Sequence, residues 1–484
     1  MNRPVRVRIA PSPTGYLHLG TVRTALFNYL FAKQHDGQFV VRIEDTDRGR
    51  SLPIYEQDIL EGLKDINLAW DEGPDIGGPH GPYRQSERGE IYERYTKKLL
   101  DEKKAYWCFC SKEDLDAERK AMLAQGLFPK YSGRCRSLPR EDAEKKRAAG
   151  EKAVLRLYVS DGRTVSFSDL IRGEVSVKSG SIGDFVIAKS EKELLYNLAV
   201  VIDDYEMEIS HVIRGEDHIS NTPRQILIHE ALGIEPPVYA HLPLILSPDK
   251  SKLSKRALET SFREYLSQGY LPQALVNFLV LLGWHPDDEQ EIFSLDEMIQ
   301  EFSLKRVSKS GAVFSLDKLE WFNAHYIKHL PFKELLEVLW DFIPPVWKEQ
   351  KERVEKILAI ERTRLKTLSE FEKLASFFFV PEEYDTELLV WQKMNLEEVK
   401  EKLTAVLGLL ANVSVFDIET LEAALMPYAQ EQGRGEVLWP LRVALSGRKK
   451  SPSPFEIMSV LGKEETIKRI TRACEKIDAY ETAT

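Results

Sequence analysis

Two short segments, far apart in the chain, hold the residues best suited to chemistry: PSPTGYLHLG at 11–20 and KLSKR at 252–256. The first follows the alternating stretch Val5-Arg6-Val7-Arg8-Ile9 and runs into TVRTALFNYLFAKQH, so Gly20 falls where a strand gives way to a helix. In a parallel α/β sheet that junction binds phosphates, because unpaired backbone N–H groups and the helix dipole both favour an anion. His18, just before the helix, is placed to donate to the same oxygens, and Gly20 lets a flat ring approach the backbone. The plain alternative for His18 is a surface or capping histidine in a turn. Lys252 and Lys255 stand on a loop opened by Ser247-Pro248-Asp249. Mobile ammonium groups there would stabilise charge developing on a pentacovalent phosphate without covalent chemistry. A basic run alone usually faces solvent; paired with the first segment it points to nucleotide chemistry.

The elements that must position these residues read as α/β. A chain of 484 residues is too long for one core and suggests about three to five units. Strand, glycine loop, helix, strand (Gln38 to Asp45) and helix (Ile54 to Leu68) succeed one another up to about residue 95, as in a βαβ unit of a doubly wound parallel sheet. The turn-rich GPDIGGPHGPYRQSER at 73–88 lies within that stretch. Residues 96–196 read as an insertion, with VLRLYVSDGRTVSF as a hairpin candidate, and the strand signal returns in NLAVVIDDYEMEISHVIRGED at 197–217 before a helix through Ile226 to Ala231. Beyond about residue 260 the pattern is helical. Leu335, Leu336, Leu339 and Phe342 fall at helical spacing, as do Leu365, Leu368, Phe371 and Leu374, and SGRKKSPSP at 446–454 reads as a basic loop between helices.

Composition narrows the class. Hydrophobic residues at 43% and charged residues at 30% describe a soluble globular chain. The longest apolar run, Ala274 to Trp284, is interrupted by Asn277 and is shorter than the roughly 20 residues a membrane span needs. The opening strand leaves no room for a signal peptide, so a cytoplasmic protein is expected. A formal charge of -10 argues against indiscriminate coating of nucleic acid. A local exception is the group Lys305, Arg306, Lys309, Lys318, Lys328 and Lys333, which surrounds Trp321, Phe322 and Tyr326. It reads either as a solvated helical face or as a nucleic-acid surface. Of four cysteines, Cys108, Cys110 and Cys135 share one stretch and Cys474 stands apart, so a disulfide framework is not expected.

PSPTGYLHLG with TALFNYLFA, RIEDTD at 42–47, YRQSER at 83–88, VIRGEDH at 212–218, NTPRQ at 221–225, KLSKR and VSKSGAVF at 307–314 together resemble the bacterial-type glutamyl-tRNA synthetases, class I aminoacyl-tRNA synthetases, over essentially the whole chain. The resemblance implies a Rossmann-like catalytic domain from 1–95 and 197–240 with an inserted acceptor-binding domain at 96–196. A stem-contact region at 241–325 and helical anticodon-binding domains at 326–378 and 379–484 would follow. It implies ATP with Mg2+, L-glutamate and tRNA-Glu as partners of a monomer. Glutamate would attack the α-phosphate of ATP, and the adenylate would then acylate the tRNA terminal ribose. On this mapping His18, Lys252 and Lys255 are catalytic, and Gly20, Thr21 and Lys255 bind ATP. Thr21 stands where the class signature has its second histidine.

Glutamate itself would be held by Arg8, Ala10, Ser12, Glu44, Tyr196 and Arg214. Arg8 and Arg214 offer planar forks for carboxylates and Glu44 suits the α-ammonium. The family often has asparagine four residues after the pocket tyrosine, where this chain has Val200. Some bacterial members hold a structural zinc through three cysteines and a histidine; here Cys108, Cys110 and Cys135 are present, Ser137 replaces the histidine, and Tyr131 is a candidate substitute. Thiols without metal are the other reading. Arg364, with Arg362 second, would read the anticodon. Two further readings are carried: a non-discriminating enzyme that also charges tRNA-Gln, and a catalytically inactive tRNA-binding paralogue. Intact His18, Lys252 and Lys255 speak against the second.

Overall fold

The computed structural model describes residues 4–247, 249–250 and 261–483 except Arg48 and Phe128. The chain divides into two compact units, Met1–Leu266 with Pro272–Leu319 and Ser267–Leu271 with Glu320–Thr484.

In the first unit, β1 (Arg6–Ile9) is buried at all four positions, and the helix α1 (Leu19–Gln34) carries it to β2 (Gln38–Val41), which pairs in parallel from Arg6↔Gln38 to Ile9↔Val41. The return is tight at Gly37, where a Cβ would lie 2.4 Å from the Val5 carbonyl oxygen, so only glycine lets the chain pass. An antiparallel sheet follows, in the order β3 (Ala105–Cys108), β4 (Val154–Leu157) and β7 (Val186–Ala188). Between its last two strands the chain forms β5 (Thr164–Asp169) and β6 (Gly173–Lys178), which belong to another sheet, in the order β6-β5-β9-β8. In that sheet β8 (His211–Gly215) and β9 (Val238–Leu242) run parallel, and β5 joins β9 through Asp169↔Tyr239. The two parallel pairs are linked where Ser210 N donates to the Arg6 carbonyl at 2.9 Å. This is the Rossmann-like arrangement with mixed sheets.

Three expectations change. NLAVVIDDYE is a helix, α2 (Tyr196–Glu206), and not a strand. Its residues 198–204 are all buried, so the apolar run shows no two-residue alternation, and length rather than pattern distinguishes helix from strand. VLRLYVSDGRTVSF is not a hairpin: β4 and β5 lie in different sheets, and β5 pairs instead with β6 across the turn before Gly173. Leu365 and Leu368 are buried but precede the helix Glu370–Phe379, so their helical spacing does not lie on one helix.

The second unit is helical, ending in Leu396–Ala411, Ile418–Gln432, Arg434–Ser446 and the segment Pro454–Ala483, which breaks into two helices at Gly462. The basic loop at 446–454 is tied down by Arg448, which holds Glu382 and donates to Ser376 Oγ at 2.8 Å. No helix among the described residues is long and apolar enough to cross a membrane.

Candidate active site

His18 is the N-cap of α1, and both of its ring nitrogens meet Thr21: Nδ1 accepts from the Thr21 backbone N–H at 3.3 Å and Nε2 lies 3.0 Å from Thr21 Oγ1. With Nδ1 accepting, the neutral ring carries its proton on Nε2. The capping reading therefore describes the resting state, and the residue in place of the second imidazole anchors the first. A Cβ on Gly20 would lie 3.1 Å from His18 Nδ1, so glycine keeps the face beside the ring open. Desolvation lowers the His18 pKa, with the charge of Asp217 opposing it. No acidic residue occupies the first turn of α1, which leaves its positive end uncompensated. Lys252 and Lys255 lie outside the described residues. The chain resumes at Ser261, which bridges to His18, and Phe262 N donates to the Leu17 carbonyl at 2.7 Å. On the other flank Ile245–Leu246 pairs with Ala312–Val313 of VSKSGAVF.

Beyond β1 and β8 the predicted pocket residues gather. Arg8 is buried and grips Asp204 of α2, with Nε 3.1 Å from Oδ1. Arg42 reaches the same carboxylate at 2.7 Å and Glu44 at 3.0 Å, while Arg88 and Gln85 hold Asp203 at 2.6 and 2.8 Å. Burial would raise the Asp204 pKa, but Arg8 and Arg42 hold it below the ordinary range. For Glu44 burial prevails over Arg42 and Arg8 and the pKa rises. Glu44 N also donates to the Pro11 carbonyl at 3.0 Å, which ties RIEDTD to the loop after β1. Ala10 is half-buried there and Ser12 is exposed, its carbonyl accepting from Thr14 N at 2.8 Å.

Tyr196 opens α2 half-buried, its hydroxyl 3.0 Å from His218 Nδ1. Burial raises its pKa, as do Glu44 and Asp204, while Arg214 and Arg8 oppose them, so all four charges lie near enough to act on it. Burial and the charge of Arg214 lower His218 to about 4, leaving it neutral. Arg214 is 5% exposed and donates from Nη2 to Thr222 Oγ1 at 2.9 Å and Gln225 Oε1 at 2.8 Å. Its Nη1 is buried and has no hydrogen-bond partner among the described residues. Val200 faces the apolar core and offers the pocket nothing polar; Asn197, one residue after Tyr196, does, its Oδ1 accepting from Gln225 Nε2 at 3.2 Å.

Sequence reasoning missed Asp203, Asp204, Thr222, Gln225 and His218 as parts of this site. Thr222, Gln225 and His218 lie in segments already singled out, NTPRQ and VIRGEDH. The two acids were hidden by the strand reading of α2.

The three thiols converge: Cys108, Cys110 and Cys135 lie within 4.8 Å of one another. The Tyr131 hydroxyl sits 3.4 Å from both Cys108 Sγ and Cys110 Sγ and accepts from Cys135 N at 3.0 Å, whereas Ser137 is exposed. Burial raises the Cys108 pKa, but Tyr131 and Arg156 bring it below the usual thiol value. Three sulfurs around one point supply three of the four donors of a tetrahedral zinc site. The Tyr131 phenol in the fourth place is outside the usual thiolate, imidazole and carboxylate set, and burial and the neighbouring thiols raise its pKa well above the ordinary phenol value.

In the helical unit, Arg362 donates from Nε to the Ile327 carbonyl at 3.1 Å and from Nη2 to the Leu330 carbonyl, so its guanidinium closes the end of the helix Leu316–His329. Arg364 keeps about a third of its side chain exposed and pairs with Glu361 at 3.2 Å. Glu361 is fully buried, and burial pushes its pKa up to about 7.

A Rossmann-like α/β unit that combines a histidine-capped helix with a cluster of buried arginines, joined to a helical unit, is the architecture of a class I synthetase. The family described as tRNA synthetases class I (E and Q), catalytic domain, matches residues 4–321, and an anticodon binding domain matches 331–474. The chain belongs to that synthetase family. It is 47% identical to glutamate–tRNA ligase 1 of Syntrophomonas wolfei, covering 98% of this chain and 97% of that one. With the glutamate–tRNA ligase of Carboxydothermus hydrogenoformans the identity is 45%, over 96% and 99%. Among solved structures, a glutamate tRNA ligase of Elizabethkingia meningosepticum in complex with its amino acid superposes with a TM-score of 0.88 at 37% identity, covering 98% of this chain and 99% of that one.

Proposed function

We propose that the protein is a glutamate–tRNA ligase, which activates L-glutamate with ATP to glutamyl-adenylate, releasing pyrophosphate, and transfers the glutamyl group to the 3′ end of tRNA-Glu, releasing AMP. The observation that carries this reading is Arg214, a buried guanidinium that no carboxylate pairs among the described residues and whose Nη1 has no partner there, close to Arg8, Glu44 and Tyr196. Such a group favours an anionic ligand, because a buried charge left unpaired is costly. Arg214 takes a carboxylate, Glu44 attracts the ammonium, and Tyr196, Ala10 and Ser12 border the bound amino acid.

His18 releases Thr21 Oγ1 and donates its Nε2–H to a phosphate oxygen, while Gly20 and Thr21 present the helix terminus to ATP, which arrives with Mg2+. Lys252 and Lys255 follow the charge as it moves onto pyrophosphate. In ATP–pyrophosphate exchange with tRNA present, Lys255→Ala is expected to lose about 100-fold or more in rate, the size of a lost preorganised donor. Near-normal exchange would refute the assignment. Charging of transcripts with glutamate and glutamine anticodons then separates a discriminating from a non-discriminating enzyme, and absence of any charging identifies an inactive paralogue.

Residues 326–378 and 379–484 take the anticodon on this reading, with Arg364 the contact residue and Arg362 its structural support. The 96–196 region binds the acceptor end. Cys108, Cys110, Cys135 and Tyr131 would hold a zinc ion whose part is structural, cross-linking the segments around β3. Elemental analysis of protein purified without chelator is expected to give close to one zinc per chain; under about 0.2 equivalent excludes a tight site.

A further inference from the structure

The nitrogens of Arg214 have distinct fates. Nη2 is held by Thr222 and Gln225, Nη1 has no partner among the described residues, and Nε donates to His241 Nε2 at 3.1 Å. His241 is fully buried on β9 and can accept at Nε2 only if its proton sits on Nδ1. The structure supplies the reason for that tautomer: Nδ1 lies 2.6 Å from Asp169 Oδ2. Asp169 ends β5, is 3% exposed, and cannot turn away, because its Oδ1 accepts from the backbone N–H groups of Ile171 at 2.9 Å and Arg172 at 2.8 Å. Those donors and His241 outweigh burial and keep its carboxyl below the ordinary pKa, hence ionised.

We infer that Asp169 and His241 are positioning residues for the amino-acid substrate: the carboxylate fixes the His241 tautomer, whose Nε2 lone pair locks Arg214 with Nη1 free for an anionic ligand. The inference rests on the reading of Arg214 as the residue that takes glutamate's carboxylate. Neither residue touches the ligand in this scheme. The opposite tautomer would set an N–H against the Arg214 Nε–H and give that proton to Thr222 Oγ1, 3.2 Å away and already the acceptor of Arg214 Nη2, so the guanidinium would rotate. The charged or titratable groups that act on His241 are Asp169, Arg172, Arg214 and His218, and burial with two arginines nearby keeps the imidazole neutral.

Asp169→Asn is the discriminating substitution. The backbone donors of Ile171 and Arg172 claim the amide oxygen, so the amide NH2 faces Nδ1 and forces the proton onto Nε2. The expected result on the full-length enzyme is a KM for L-glutamate raised about 30-fold or more, with kcat altered less than about 3-fold and the KM for ATP within about 2-fold. An unchanged glutamate KM in folded Asp169→Asn overturns the inference. Nitrogen-detected imidazole NMR of the unsubstituted protein provides a test that needs no variant: the His241 proton is expected on Nδ1, and finding it on Nε2 overturns the inference. His241→Gln, which keeps an acceptor, is expected to retain a glutamate KM within about 5-fold, whereas His241→Leu loses about 30-fold or more; equal effects would count against the lock. Arg214→Lys separates the two levels. If it leaves the glutamate KM unchanged the pocket reading itself fails, and if it is defective while Asp169→Asn is normal, only the positioning role fails.

Discussion

The arginines at the ends of β1 and β8 sit in opposite electrostatic surroundings. On the β1 side Arg8, Arg42 and Arg88 interleave with Asp203, Asp204 and Glu44, every cation against a carboxylate at hydrogen-bond distance. On the β8 side Arg214 is held by an imidazole nitrogen, a hydroxyl and an amide oxygen, all neutral. The first region is balanced by itself, three arginines against three carboxylates. The second is short of one negative charge, which a ligand carboxylate can supply. Shared burial hides this difference: Arg8 and Arg214 are 3% and 5% exposed.

Breaking each side should therefore damage different properties. Asp204→Asn leaves Arg8 and Arg42 facing a neutral amide in a buried site, and is expected to cost about 3–5 kcal/mol of stability in denaturant titration. Because Asp204 is held below its ordinary pKa, its contribution is fully present above the unfolded value of about 3.9 and disappears as pH falls through the folded one. The deficit of the variant should thus persist from pH 8 to pH 5 and close only in stronger acid. Arg214→Gln inverts the pattern. It is expected to lower kcat/KM for glutamate about 100-fold, near 2.7 kcal/mol, with a much smaller change in unfolding free energy because no buried carboxylate is orphaned.

The smallest expected effect lies in the helical unit, where Glu361 shows what incomplete pairing costs away from any substrate pocket. Its pKa is raised to about 7, so between roughly pH 4.5 and 7 the native state binds more protons than the unfolded chain. Stability contributed at this position therefore falls as pH rises. Glu361→Gln is expected to stabilise the protein by about 1–2 kcal/mol at pH 8 and by almost nothing at pH 5, measured by unfolding at both values. Equal effects at the two pH values would show that the pair with Arg364 fully offsets burial.

What could be read from residue order follows how local the signal is. The strand–loop–helix around Gly20 and the pairing of β1 with β2 were legible, because the alternation of β1 and the cap of α1 are consecutive in the chain. Arg8 and Arg214 were legible as residues of interest, and the structure buries both; that Asp204 pairs with Arg8 was not legible. That pairing depends on α2 being a helix, which an apolar run buried on every side does not reveal. Asp169 and His241 were invisible: they sit 72 residues apart, their contact exists only because β5 lies beside β9, and neither belongs to a segment with its own chemical pattern. The thiol cluster was legible as a cluster, while the placement of the Tyr131 hydroxyl against two sulfurs and a backbone N–H needed the fold.

The β5–β6 hairpin, formed by residues between the two halves of the nucleotide fold, makes those halves inseparable from what lies between them. An engineer who trimmed the chain to a minimal ATP-binding core by splicing out that middle stretch would remove a strand of the sheet and, with it, the Asp169 carboxylate that holds His241. On the role inferred for Asp169, such a miniature should retain affinity for nucleotide longer than selectivity for its amino acid, which makes the choice of substrate the property least transferable as a cassette.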